Sequence, residues 1–153
     1  MAYEPKLDQR EPQPVLSVRD KVSFAELSDK LGQFVGEVFG YLQQQGVQPA
    51  GPPFTRYHGF EGDKIDFEAG LPTPERLPGS GRIQPGELPG GPVVSAVHMG
   101  AYDSLPQAGE ALDAWLAENG REAAGPNWEF YWVAPGHNAD PSSWKTEVFK
   151  PVR

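Results

Sequence analysis

Two glutamates in strand-like segments are the first candidates for chemistry in this sequence. Glu68 lies in the run 64–71 and Glu147 in the run 146–152, and both runs contain several apolar and aromatic residues. If both carboxylates face one groove, one could orient or deprotonate water while the other, or Tyr131, donates a proton. The same pair could instead hold a doubly charged cation. A solvated glutamate on an exposed sheet face fits each run equally well, so the residue types alone leave catalysis, binding and a structural role open.

Aromatic residues in the predicted strands that neighbour these glutamates along the chain could complete a ligand site. Strand alternation places Trp128, Phe130 and Trp132 on one face of the run 128–133, and Tyr131 on the other face. Either face could line a groove. Aromatic side chains bind planar or cationic ligands with little ordering cost, because the rings are already stiff. Each ring could equally belong to the core, so only the group as a whole favours a ligand site.

The other reactive residue types indicate no second kind of site. His58, His98 and His137 lie in different predicted elements and lack the spacing of metal ligands, so no metal site is predicted. Ser104 is followed three residues later by Gln107, a pattern that predicts a helix cap rather than a nucleophile. The chain has no cysteine, which excludes a thiol nucleophile, a disulfide and a cysteine-ligated zinc. No cofactor is predicted.

Size and charge narrow the function classes. The 153 residues suit one domain. There are 13 Lys and Arg against 21 Asp and Glu, a net charge of −8, so the surface repels phosphates and no direct contact with nucleic acid is expected. No apolar run reaches the ~20 residues of a membrane span, and the first ten residues or so do not form a signal peptide. We therefore expect a cytoplasmic protein with no membrane partner.

Periodicity and turn residues predict the elements that position the candidate side chains. Apolar residues recur at helical spacing after capping boxes that begin at Ser23 and Ser104, and Phe24 is the first residue of the first apolar face. Gly46 and Gly120 are predicted to end the two helices. Runs of β-branched and aromatic residues bounded by Gly, Pro and Asp indicate strands. The predicted strands are 15–19, 54–59, 64–71, 93–99, 128–133 and 146–152, with a short one near Ile83, and the predicted helices run from Ser23 to Gly46 and from Ser104 to Asn119.

The element order β-α-β-β occurs twice, and particular residues repeat with it. Tyr57 corresponds to Tyr131 at the same offset that relates Phe54 to Trp128. In the last strand of each half Glu68 corresponds to Glu147, so the two glutamates hold equivalent positions. Each half is too small to form a stable domain by itself. We predict one α+β domain over residues 1–153, in which duplicated β-α-β-β modules at 12–77 and 82–153 pack with pseudo-two-fold symmetry around a central ligand cleft.

Four runs in this order resemble the GyrI-like family, which is also described as the bacterial transcription-activator effector-binding domain. They are 52–58 (PPFTRYH), 66–72 (DFEAGLP), 98–105 (HMGAYDSL) and 145–152 (KTEVFKPV), and the resemblance covers about 12–153. It implies a duplicated β-α-β-β fold whose pocket takes bulky, aromatic and often cationic drugs. It also implies that the glutamate on the final strand, here Glu147, lies in that pocket.

The resemblance leads to a main functional prediction with two alternatives. We predict multidrug or effector binding of a lipophilic, cationic small molecule. A hydrolase of cyclopropane-bearing genotoxins using Glu147, Glu68 and Tyr131 is one alternative, and a module that binds gyrase or a regulator is the other. Only about ten residues precede the first predicted strand, so no helix-turn-helix is expected and any role in transcription needs a partner. The predicted ligand-binding residues are Glu147, Glu68, Tyr57, Tyr131, Trp128, Phe54, Trp144 and Tyr102.

Overall fold

The structure is a computed structural model that describes residues 3–133 and 140–153, the side chain of Asp103 excepted. Antiparallel strands and two helices make up the described part of the chain, which confirms the predicted α+β class. The strands are β1 (Lys6–Arg10), β2 (Gln13–Ser23), β3 (Phe54–Glu61), β4 (Lys64–Pro72), β5 (Gln84–Leu88), β6 (Gly91–Met99), β7 (Trp128–Val133) and β8 (Lys145–Pro151), and the helices are α1 (Phe24–Gln45) and α2 (Pro106–Glu118).

The chain divides into two compact units. The first unit is Pro12–Pro89, and the second is Gly90–Arg153 together with the N-terminal segment up to Glu11. The short strand expected near Ile83 is present as β5, and it pairs with β2, which places it in the first unit. The N-terminal strand β1 pairs with β6 and therefore belongs to the second unit.

The first unit has the strand order β3-β4-β2-β5, and α1 packs against one face of this sheet. Apolar residues alternate along β4, so that Ile65, Phe67 and Ala69 are buried beneath the helix. Phe34 of α1 stacks on Phe67 with ring centroids 5.7 Å apart. Burial of each such side chain contributes about 1.5–3 kcal/mol, so this alternation fixes which face of the sheet the helix covers.

The ends of α1 follow the sequence prediction in part. Gly46 ends the helix with a left-handed φ of 70°, as predicted. The Ser23 hydroxyl donates to Glu26 Oε1 at 2.9 Å, whereas the serine side chain makes no capping bond to the backbone. Phe24 was predicted on the apolar face, but it is exposed and stacks on Phe60, because the core begins further along the helix.

The second unit has the strand order β1-β6-β8-β7, and α2 packs against one face of its sheet. Ala108, Leu112 and Leu116 form the buried stripe of the helix and contact a cluster that includes Val94 and Val148. The predicted strand 128–133 is confirmed, since β7 runs from Trp128 to Val133. In the described part of the chain, neither helix combines the length and apolarity needed to cross a membrane.

The predicted capping box at the start of α2 is wrong. A short 3-10 turn at Tyr102–Ser104 precedes the helix, and Leu105 occupies the capping position. The Ser104 hydroxyl donates to Ala101 O at 3.2 Å and therefore closes this turn instead of capping the helix. Pro106 is tolerated in the first turn of α2, because a residue without an N–H loses no helical hydrogen bond there.

Candidate functional site

Each sheet has one face against its own helix and an opposite face, which we call the distal face of that unit. Along β4, Phe67 and Ala69 pack toward α1, so the intervening Glu68 lies on the distal face of the first unit. Along β8, Val148 packs toward α2, so Glu147 lies on the distal face of the second unit. The two predicted carboxylates thus occupy the same kind of surface in their respective units.

Glu68 is the centre of a half-buried polar cluster. The Ser17 hydroxyl donates to its Oε2 at 2.5 Å, and His58 Nε2 lies 2.8 Å from its Oε1. Arg56, directly opposite in β3, places Nη1 3.9 Å from the same Oε1. The side chains of Glu68, His58 and Arg56 are only 13%, 14% and 18% exposed. The carboxylate is therefore well supplied with hydrogen-bond donors, and its charge is compensated within the unit.

Other charges on the distal face of the first unit are also paired. Arg19 and Asp66 form two hydrogen bonds of 2.9 Å each, in the side-by-side geometry that suits a guanidinium and a carboxylate. The hydrogen bonds from Arg19 hold the pKa of Asp66 below its ordinary value. Lys21 Nζ lies 3.1 Å from Glu61 at the rim. This face is polar and its charges are internally balanced.

Glu147 has very different surroundings. Its Oε1 accepts a hydrogen bond of 3.0 Å from the indole N–H of Trp132. Its direct neighbours across the sheet are Val97 in β6 and Phe130 in β7. Val97, Trp132 and the nearby Met99 are 42%, 46% and 46% exposed. Over residues 3–133 and 140–153, no basic side chain lies within ion-pair distance of Glu147, so a negative charge stands within an accessible apolar surface.

The ring that contacts each glutamate comes from an irregularity in the neighbouring strand. The register of β3 shifts at His58, and the register of β7 shifts at Trp132. Such bulges re-aim a side chain, and here they turn a ring nitrogen toward the glutamate on the adjacent strand. Sequence reasoning assigned neither residue to the site. The offset that relates Tyr57 to Tyr131 also relates His58 to Trp132, and this was the signal that could have found them.

Some of the predicted aromatic residues form a buried layer on the distal face. Trp128 pairs with Phe149 and stacks on it at 5.7 Å, and Phe130 meets the same ring edge-on at 5.5 Å. The guanidinium of Arg10 lies 4.8 Å above the Phe149 ring. Phe54, the counterpart of Trp128 in the first unit, is fully buried. These rings support the surface around the glutamates from within.

The remaining predicted residues lie on the opposite side. Tyr131 pairs with Thr146 and donates its hydroxyl to Glu129 Oε1 at 2.6 Å, on the face toward α2. Tyr102 lies near Tyr131 and Trp144, with ring centroids 6.0 Å and 5.1 Å away. Burial raises the pKa of Tyr102, and the charge of Glu129 raises it further. Tyr57 likewise packs against the core beneath α1. Within the second unit, Tyr131 thus lies on the sheet face opposite to Glu147.

His98 is a structural residue in this geometry. Its Nε2 lies 3.0 Å from Ala101 O, a group that only accepts, so this nitrogen carries the proton. Its Nδ1 then accepts the Tyr3 hydroxyl at 2.7 Å. Ser104 Oγ is 3.2 Å from the protonated nitrogen and cannot give it a second proton, so no serine–histidine nucleophile is formed. His137 lies outside the described residues, and in the described ranges no three His, Asp or Glu side chains cluster as metal ligands would.

Comparison with known proteins places this chain in a family. Residues 3–153 match the family model of the GyrI-like small molecule binding domain. The chain therefore belongs to the GyrI-like small molecule binding domain family, as the sequence runs predicted. We found no significant match among curated protein sequences.

Solved structures share the fold over the whole chain. The crystal structure of the EcmrR C-terminal domain is 25% identical, with a TM-score of 0.87, and the match covers 100% of this chain and 99% of that chain. The cryo-EM structure of an EcmrR–DNA complex is 26% identical, with a TM-score of 0.84, and the match covers 99% of this chain and 57% of that chain. SAV2435 bound to tetraphenylphosphonium is 12% identical, with a TM-score of 0.65 and coverage of 100% and 94%, and it shows likeness of fold alone.

Proposed function

We propose that this protein binds lipophilic aromatic cations and that Glu147 is their charge partner. The observation that carries the proposal is the carboxylate of Glu147 on a distal face where Val97, Met99 and Trp132 are exposed. Apolar neighbours give a carboxylate fewer polar partners than water would, and an arriving positive charge supplies one. The indole and the thioether add favourable contacts with a cation or an aromatic ring.

We assign Glu68 a different role, as the centre of the internal cluster in the first unit. Ser17, His58 and Arg56 already provide donors and positive charge to its carboxylate. A ligand cation there would have to compete with a half-buried arginine. The proposed site therefore takes one positive charge at Glu147 rather than a dication shared by both glutamates.

The family supports binding of a small molecule, and one solved structure of this fold supports the choice of ligand class. SAV2435 is a protein of this fold that was solved with tetraphenylphosphonium, a lipophilic cation with four aromatic rings. We also propose that the shared strand orders of the two units reflect a duplicated β-α-β-β module. A central cleft stays a prediction from the sequence, and so does a role in transcription, for which the EcmrR–DNA complex is a precedent in a longer chain.

The proposal is tested by titrating tetraphenylphosphonium into three proteins by isothermal calorimetry. The wild type is expected to bind saturably with a Kd in the micromolar range. Glu147→Gln keeps the shape of the side chain and removes its charge, and it should weaken binding more than tenfold, about 1.4 kcal/mol, without loss of folding stability. Glu68→Gln is the matched control, since it removes the corresponding carboxylate in the first unit, and it should change Kd less than about twofold. Equal affinity of wild type and Glu147→Gln would refute the assigned role.

The hydrolase alternative has no supporting contact among the described residues. Tyr131, its predicted proton donor, is bonded to Glu129 on the face toward α2, whereas Glu147 lies on the distal face. Hydrolysis of a cyclopropane-bearing genotoxin and binding of gyrase both stay predictions. Turnover of such a compound that is lost in Glu147→Gln would favour the enzyme.

A further inference from the structure

We infer that the bulge residue beside each glutamate decides what that glutamate can bind, and that Trp132 is the specificity-determining residue of the second unit. Trp132 holds Glu147 in place and leaves its negative charge available to a cation. His58, at the corresponding bulge, instead draws Glu68 into an internal ion cluster. The inference rests on the proposed function of Glu147 and adds Trp132 as a second residue of the same binding site.

The geometry at the two bulges is closely matched. His58 Nε2 lies 2.8 Å from Glu68 Oε1, and Trp132 Nε1 lies 3.0 Å from Glu147 Oε1. Both rings come from the position where the strand register shifts. Each glutamate is therefore contacted by one ring nitrogen from the bulge of the neighbouring strand. The surroundings of Glu68 and Glu147 differ first in the type of that ring, which is an imidazole at Glu68 and an indole at Glu147.

The two rings differ in charge chemistry. An indole N–H only donates and never becomes a cation, so Trp132 satisfies one carboxylate oxygen of Glu147 without cancelling the charge. An imidazole takes up a proton near neutral pH, and the resulting cation pairs with a carboxylate. At Glu68 this ring is joined by Arg56, at 3.9 Å from the same oxygen. The bulge residue, together with the residue opposite the glutamate, thus separates an available carboxylate from a compensated one.

The other strands around Glu147 do not supply a competing charge. From β6 the side chains facing the distal surface at this level are Val97 and Met99, and from β7 they are Phe130 and Trp132. The basic residues on this face are Lys145 in β8, which pairs with Met99, Lys6 in β1, which pairs with Ser95, and Arg10, which covers the Phe149 ring. None of them forms an ion pair with Glu147 within the described ranges, so the indole is its direct polar partner there.

Two substitutions of one residue test this inference with tetraphenylphosphonium as the probe, by calorimetry at about pH 8 and about pH 5.5. Trp132→Phe keeps an aromatic ring and removes the N–H, and we expect Kd to rise about three- to tenfold at both pH values. Trp132→His places the first unit's residue beside Glu147. At the higher pH its Kd should lie between those of the wild type and Trp132→Phe, because the imidazole keeps a ring N–H but loses indole contact area. At the lower pH its Kd should rise at least about tenfold relative to Trp132→Phe, because the imidazolium cancels the carboxylate charge.

A measurement without ligand separates this inference from the proposed function. Four tryptophans give four indole N–H signals in a proton–nitrogen NMR spectrum. The signal of Trp132, assigned by its loss in Trp132→Phe, should move in Glu147→Gln and stay in place in Glu68→Gln. An unmoved signal, or a Trp132→Phe protein that binds as tightly as the wild type, overturns the inference while Glu147 can still be the charge partner. Equal affinity of wild type and Glu147→Gln instead overturns the proposed function.

Discussion

Replacement of Glu68 by glutamine should destabilise the first unit while the ligand site stays intact. The carboxylate accepts from Ser17 at 2.5 Å, lies 2.8 Å from His58 Nε2, and compensates Arg56 at 3.9 Å. A glutamine has one oxygen and one NH2 group, so it can accept from only one of these two partners. The Ser17 hydroxyl can turn to accept from the NH2 group, but neither bond is then made to a charged group. Arg56 then lacks its carboxylate in a site where it is only 18% exposed.

The magnitude follows from these contacts. A hydrogen bond to a charged group contributes about 1.5–3 kcal/mol and a neutral one about 0.5–1.5 kcal/mol, and glutamine replaces two charged bonds by neutral ones. The long Arg56 contact adds little, and relief of the desolvation of the carboxylate offsets part of the loss. We expect a net decrease of about 2 kcal/mol in the free energy of unfolding, which corresponds to a fall in Tm of about 4–8 °C for a chain of this size.

Urea unfolding followed by far-UV circular dichroism measures this change, and calorimetric titration with tetraphenylphosphonium on the same samples measures the ligand site. The double variant Ser17→Ala/Glu68→Gln should lose less than the sum of the single variants, since the two side chains share one bond. If Glu68→Gln is as stable as the wild type within about 0.5 kcal/mol, the cluster is not the stabilising unit that its geometry indicates.

Two further predictions concern the same sheet. Gly70→Ala should reduce the free energy of unfolding by about 3 kcal/mol or more, because a Cβ there would overlap the backbone of Leu16 and Ser17 on β2. That backbone cannot move without breaking the strand pairing. Gly59→Ala is the control, since a Cβ there meets no other atom, and equal losses of the two variants in urea unfolding would contradict the steric explanation. Asp66→Asn should cost about 0.5–1 kcal/mol at neutral pH and nothing in strong acid. Arg19 lowers the pKa of Asp66 in the folded state, so its contribution is complete above the ordinary value of 3.8 and disappears as the pH falls through the lower folded pKa. A difference between Asp66→Asn and wild type that persists below that range would contradict this assignment.

Much of the element order could be predicted from the sequence because it depends on local chemistry. Alternation along β4 fixed which residues face the core, and Gly46 marked the end of α1 through its left-handed backbone. The repeat pointed to Glu68 and Glu147 as counterparts, and both lie on the distal face of their sheets. Strand parity also separated Trp132 from Tyr131, although it could not show which of them shares a face with Glu147.

Only the tertiary structure decided how these side chains combine. Whether a glutamate is compensated depends on the bulge residue beside it and on its cross-strand neighbour, and Arg56 opposite Glu68 corresponds to Phe130 opposite Glu147. The bulges that bring His58 and Trp132 to the carboxylates change the strand register by a residue, and no local sequence pattern predicts such a bulge. The local pattern was also insufficient at Ser104, which was predicted to cap α2 but lies in a 3-10 turn before the helix. The sequence therefore determined the elements and the paired glutamates, whereas pairing between strands decided which carboxylate stayed available, because charge compensation depends on side chains that are distant along the chain.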